Sequence, residues 1–162
     1  MLSGIKSLSG TDSFAYVIPQ PTEPDGSVRL AIRSVCKNIL TGVRLTIRDL
    51  EDFPQGSPLV IDVGVVAADS IHLLEGVNLN APTKIGVHDY SIEISAQNGI
   101  FDEFLSFRTV LADNIGCVSD YLKVSKRRTV SKGSKKPTPD ELRKSILINH
   151  GWHSYTQCDT KK

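Results

Sequence analysis

The sequence predicts an all-β fold, an antiparallel sandwich of about 7–8 strands, followed by a basic linker and a short C-terminal helix. Three observations carry this. Apolar and polar residues alternate with a period of two through several short runs, as in strands with one face in a core and one in water. Most runs are bounded by Pro, Gly, Asn or Asp turn chemistry. No convincing helix precedes residue 137, so the β–α alternation of a parallel sheet is missing and half-buried sheets must face one another.

Phe14–Ile18 forms a first short strand, stopped by Pro19, Pro21 and Pro24 with Asp25-Gly26. Val28, Leu30 and Ile32 then alternate with Arg29, Ala31 and Arg33, and Val43, Leu45 and Ile47 with Arg44, Thr46 and Arg48. Leu59–Val66 is almost continuously apolar and β-branched, and Ile71–Leu79 follows Asp69-Ser70. The last strands are Asp89–Gln97, Ile100–Leu111 and Cys117–Ser125.

Asn98-Gly99 is a strong two-residue hairpin signal. A turn there pairs Gln97 with Ile100, which sets Ile92 opposite Leu105 and Tyr90 opposite Phe107 on the apolar face. The wet face then carries Ser95–Asp102, Ser91–Ser106 and Asp89–Arg108. Glu103 falls on the apolar face. Burying it unpaired would cost several kcal/mol, so a rim position open to water is expected.

Charge divides the chain. Residues 1–122 hold 8 Lys and Arg against 15 Asp and Glu, whereas residues 123–162 hold 11 against 3. The segment 123–136, KVSKRRTVSKGSKK, is basic without an acid and too polar to build a core, which reads as flexible. Lys123, Lys126, Arg127, Arg128, Lys132, Lys135 and Lys136 are its candidate contacts with an anionic partner: nucleic acid, anionic lipid or an acidic protein. No aromatics are interleaved there to stack on bases. Beyond it, Thr138 can cap a helix, Pro139 suits its first position and Glu141 completes a capping box. That helix should run about eleven residues to a stop at Gly151, with Leu142 and Ile146 on its apolar face. The organisation expected is a flexible stretch at 1–12, a sandwich at 13–125, a basic linker at 126–137, and a helix and tail at 138–162.

The segment GVHDYSIEI, Gly86–Ile94, puts a Tyr near the start of the penultimate sandwich strand with an inward Ile92 two residues on. It resembles the tyrosine corner of immunoglobulin-like domains. EGVNLNAPTKIGVHDYSIEI and GSVRLAIRSVCKNILTGVRLTIRD are likewise similar to bacterial immunoglobulin-like and fibronectin type III-like modules. The resemblance covers roughly residues 13–125. It implies an immunoglobulin-like sandwich that binds, spaces or presents other parts. The antibody-type Cys pair and core Trp are absent: Ile92 stands where the second Cys would be, and Trp152 lies in the tail.

No GxSxG elbow, P-loop or HExxH occurs, so common nucleophile and metal-hydrolase routes have no motif. His88 and Asp89 alternate to opposite faces, and His150, His153 and Cys158 lack a nearby fourth ligand for zinc. No catalytic residue, metal or cofactor is therefore expected. Arg29, Arg33, Arg44 and Arg48 would form an anionic-partner patch only if their two strands shared a sheet. Three cysteines without CxxC spacing point to reduced thiols, and no apolar h-region or span of ~20 apolar residues occurs. A cytoplasmic protein is expected, or else a soluble module of a larger membrane-anchored or surface protein. The leading reading is a non-enzymatic module that binds an unknown protein partner. Its alternatives are an electrostatic tether acting through the basic tail, and a small hydrolase or enzyme accessory domain using Glu103 or His88.

Overall fold

The computed structural model describes residues 13–21, 23, 25–52, 55–112, 115–127, 136 and 138–154. Among the described residues nine strands form: β1 (Phe14–Pro19), β2 (Ser27–Val35), β3 (Leu40–Asp49), β4 (Leu59–Val66), β5 (Ile71–Asn80), β6 (Gly86–Ala96), β7 (Gly99–Ala112), β8 (Ile115–Lys126) and β9 (Ile146–Ser154). They make two antiparallel sheets, a three-stranded one in the order β1-β2-β5 and a six-stranded one in the order β4-β3-β6-β7-β8-β9. The alternating runs supply the inner faces. Val28, Leu30 and Ile32 of one sheet share a core with Val43, Leu45, Ile47, Ile92, Ile94, Phe101, Leu105 and Phe107 of the other. Burial of such side chains is worth about 1.5–3 kcal/mol each and holds the sheets together.

The β6–β7 hairpin differs from its expected register by two residues. Ala96 pairs with Gly99, so Gln97 and Asn98 are the turn and Ile92 lies opposite Glu103. Gly99 follows at φ 138°, a conformation that only glycine adopts without strain. Because side chains repeat every two residues, a shift of two leaves each on its predicted face. Tyr90, Ile92, Leu105 and Phe107 are accordingly all buried.

Glu103 is not at the rim. It is 2% exposed, and its Oε1 accepts a hydrogen bond from Val17 N–H at 2.6 Å. The reason lies in β1, whose residues are almost all buried. This edge strand has β2 on one side only, and across the sandwich the Val17 N–H finds the Glu103 carboxyl instead of another strand. Burial pushes the Glu103 carboxyl well above the usual carboxylate range, and the Val17 bond opposes this only in part.

Tyr90 anchors the opposite end of β6. Its hydroxyl accepts from Asn80 N–H at 2.9 Å and donates to Asn80 O at 3.2 Å, tying β6 to the end of β5. Burial, with smaller contributions from Asp49, Glu51 and Asp52, pushes this phenol up to about 12.

The C-terminal helix is shorter than expected. α1 (Pro139–Ser145) begins as predicted, with Thr138 accepting from Glu141 N–H at 3.2 Å, but it buries no residue and stops at an extended Ile146. From there the chain forms β9, antiparallel to β8, with Lys123 opposite Asn149 and Val124 opposite Ile148. β-Branched Ile146 and Ile148 favour a strand, and Ile148 packs against the core. Cys36 is free and buried, whereas Cys117 is disulfide-bonded, against the expectation of reduced thiols; its partner lies outside the described residues.

Candidate partner-binding face

The six-stranded sheet turns one face to the core and the other outward. Register decides what its outer face shows. Phe104 of β7 lies opposite Lys123 of β8, which lies opposite Asn149 of β9; the next outward pair is Ser106 and Tyr121. Trp152 extends the row along β9.

Three aromatic rings from three strands therefore meet. Phe104 and Tyr121 have centroids 6.3 Å apart at 64°, and Tyr121 and Trp152 are 5.8 Å apart at 45°. The guanidinium of Arg108 sits 4.4 Å over the Trp152 ring, a cation–π contact. Tyr121 is further fixed by donating its hydroxyl to Asn149 Oδ1 at 2.9 Å. Phe104 is 37% and Trp152 44% exposed, so the row presents apolar ring surface to solvent while the Tyr121 hydroxyl stays hydrogen-bonded.

Among the basic candidates, Lys123 lies in this row between Phe104 and Asn149, whereas Lys126 is exposed at the end of β8 opposite Phe101, on the alternation of core-facing Leu122 and Val124. Arg127 is already engaged. It donates through Nε to Asp102 Oδ2 at 2.9 Å and through Nη1 to Glu93 Oε1 at 2.6 Å, and its Nη2 also meets Asp102. The Asp102 hydrogen bond holds its guanidinium further in the charged form. Lys136 is exposed, and Arg128, Lys132 and Lys135 lie outside the described residues.

Other expectations resolve differently. Arg29 and Arg33 stand on β2, and Arg44 and Arg48 on β3, in separate sheets, so the four do not make one patch. Arg29 and Arg44 lie near Glu23 and Asp62 at 3.5 and 3.9 Å. Asp89 faces Ser106 rather than Arg108 and accepts its hydroxyl at 2.5 Å. His88 turns to the other face, as alternation requires, and meets Asp49. Glu103 is closed off beneath β1 and offers no surface to a substrate.

Sequence reasoning missed the aromatic row, because Phe104, Tyr121 and Trp152 become neighbours only through the pairing of β7, β8 and β9. The available signal was an apolar residue on an outward position: Phe104 broke the alternation of β7. Comparison with family models, curated proteins and solved structures finds no match for the chain.

Proposed function

We propose that the chain is a non-enzymatic, immunoglobulin-like interaction module that binds a protein partner through the outer face of β7, β8 and β9. The single observation that carries this is the exposed cluster of Phe104, Tyr121, Trp152 and Arg108. Trp, Tyr and Arg dominate binding hot spots because they combine large apolar area with few rotatable bonds and polar handles. Their prior fixation by one another and by Asn149 lowers the entropic cost of association.

The immunoglobulin-like part of the reading is supported by strand order. β1, β2 and β5 take the places of strands A, B and E, and β3, β6 and β7 those of C, F and G, with β4 beside β3. Tyr90 bonding back to the Asn80 backbone resembles the contact of a tyrosine corner and supports the same reading. β8 and β9 are additions to that frame, and they carry most of the face.

The test is affinity capture from the native source with the wild type and with Arg108→Ala and Trp152→Ala. Each substitution should weaken the captured complex by about 2 kcal/mol, near thirtyfold. A complex that survives both unchanged would move the contact elsewhere, and turnover of an esterase, phosphatase or glycosidase probe would contradict the non-enzymatic reading.

A second reading is favoured by one observation. Aromatic rings beside Lys123 and Arg108 suit single-stranded nucleic acid, whose bases stack and whose phosphates attract cations. Oligodeoxythymidylate that quenches Trp152 with an affinity falling steeply in salt would support it. No quenching at low salt would end it.

A further inference from the structure

Where β3 ends, an imidazole and two carboxylates converge away from the aromatic face. Asp49 closes β3, Glu51 follows in the turn, and His88 arrives from β6, whose ladder continues past Asp49 through Leu50 N–H to Asp89 O at 3.0 Å. Asp49 Oδ1 lies 2.8 Å from His88 Nε2, and Glu51 Oε2 lies 3.7 Å from His88 Nδ1. One donor atom from each of the three lies within 4.8 Å of the others.

The donors are held before any ligand arrives. The His88 ring stacks on Tyr90 at 4.6 Å and 5°, and Tyr90 is itself tied to Asn80. Asp49 Oδ1 also accepts from Glu51 N–H at 3.0 Å, which fixes its carboxylate. The His88 side chain is 14% exposed and that of Asp49 31%, but Glu51 is 57% exposed and forms the open side. Charge is unbalanced as well. Asp49, Glu51 and Asp52 all raise the Tyr90 phenol, and among the described residues no Lys or Arg pairs with any of the three.

We propose that Asp49, Glu51 and His88 bind one divalent transition cation, of the zinc or manganese class. The cation takes the place of the hydrogen that the imidazole now shares with a carboxylate, and the ring binds in its neutral form. Glu51 now lies on the Nδ1 side of the ring and Asp49 on the Nε2 side, so a shared cation requires the exposed Glu51 to swing to the Nε2 side, and bonds of about 2.0–2.2 Å require Asp49 and His88 to part slightly. The imidazole favours zinc or manganese over calcium or magnesium, which prefer all-oxygen sites. Water completes the coordination on the open side. Such a cation would clip the β3–β4 turn to β6 and neutralise the carboxylates, and it makes no use of the proposed partner-binding face.

The probe is zinc chloride titrated calorimetrically into the full chain, with calcium as the comparison. One zinc per chain is expected, with calcium binding at least tenfold weaker. Glu51→Gln, which changes an exposed side chain and leaves folding intact by circular dichroism, should weaken zinc at least tenfold, and His88→Ala should weaken it further. His150→Ala with His153→Ala should leave it unchanged. Manganese should selectively broaden the amide signals of residues 49–52 and 86–90. Absence of zinc binding overturns the proposal. So does binding that Glu51→Gln and His88→Ala leave intact, or that the C-terminal histidine substitutions abolish.

Discussion

Glu103 sits in the core with one oxygen bonded to Val17 N–H and Oε2 without a hydrogen-bond partner among the described residues. Its carboxyl is pushed up by burial, so the folded state holds its proton to higher pH than the unfolded chain does. The unfolded chain releases it near pH 4.3. Below that both states are protonated and nothing is lost; as pH rises from there toward the raised folded value, stability falls. Glu103→Gln keeps an acceptor for Val17 and has no charge to bury. Its stability relative to wild type should rise with pH by about 1.4 kcal/mol per pH unit within that window. Denaturant melts of both proteins at pH 4 and pH 8 check this, since every other carboxylate is common to the pair; parallel profiles would contradict it. Tyr90 gives a companion case. Tyr90→Phe removes the hydroxyl that satisfies Asn80 and should cost about 1–3 kcal/mol by the same melts without altering the core packing of the ring.

Among the elements, β9 departs furthest from what the sequence predicts. It covers the edge of β8 and places Trp152 beside Tyr121. The sequence predicts that the sandwich ends at residue 125, with no strand beyond it. With β9 paired, removal of residues 138–162 would bare the β8 edge, expose Val124 and Leu122, and lose the packing of Ile148. We expect a loss of about 2 kcal/mol or more, with self-association through the uncovered edge. Denaturation midpoints and gel filtration of the truncated chain report both, and a truncated monomer as stable as the full chain would contradict the pairing. The opposite edges, β4 and β5, are interrupted by Gly64 and Gly76 at φ 81° and 72°, and a register shift breaks the β2–β5 ladder. Such breaks guard exposed strands against pairing with another chain.

At the scale of the whole molecule, strands β2, β3, β6 and β7 were legible because alternation of period two is local and each strand has one wet face. The hairpin turn lies one residue earlier than the sequence predicts, which shifts the pairing by two, yet the core residues stay on their face because alternation is blind to an even shift. What remained hidden depends on distant partners. Val17 and Glu103 are 86 residues apart, so no local pattern announces that an edge N–H awaits a carboxyl. Strand β9 was hidden behind a sound helix start, because Thr138 and Pro139 mark where a helix begins and say little about where it ends. The basic segment was legible as charge, but Arg127 is spent on Glu93 and Asp102, and the aromatic face emerges only once three strands are in register.

The claim that this face is where the module binds has a direct reporter, because Trp152 is the chain's single tryptophan and lies in the cluster. Protein labelled with 5-fluorotryptophan carries one fluorine resonance, read first alone and then in complex with the captured partner. The account predicts that this resonance shifts and broadens as the complex forms and that Arg108→Ala reduces the shift at equal partner concentration. A complex that forms in full while the Trp152 resonance stays where it was would contradict it.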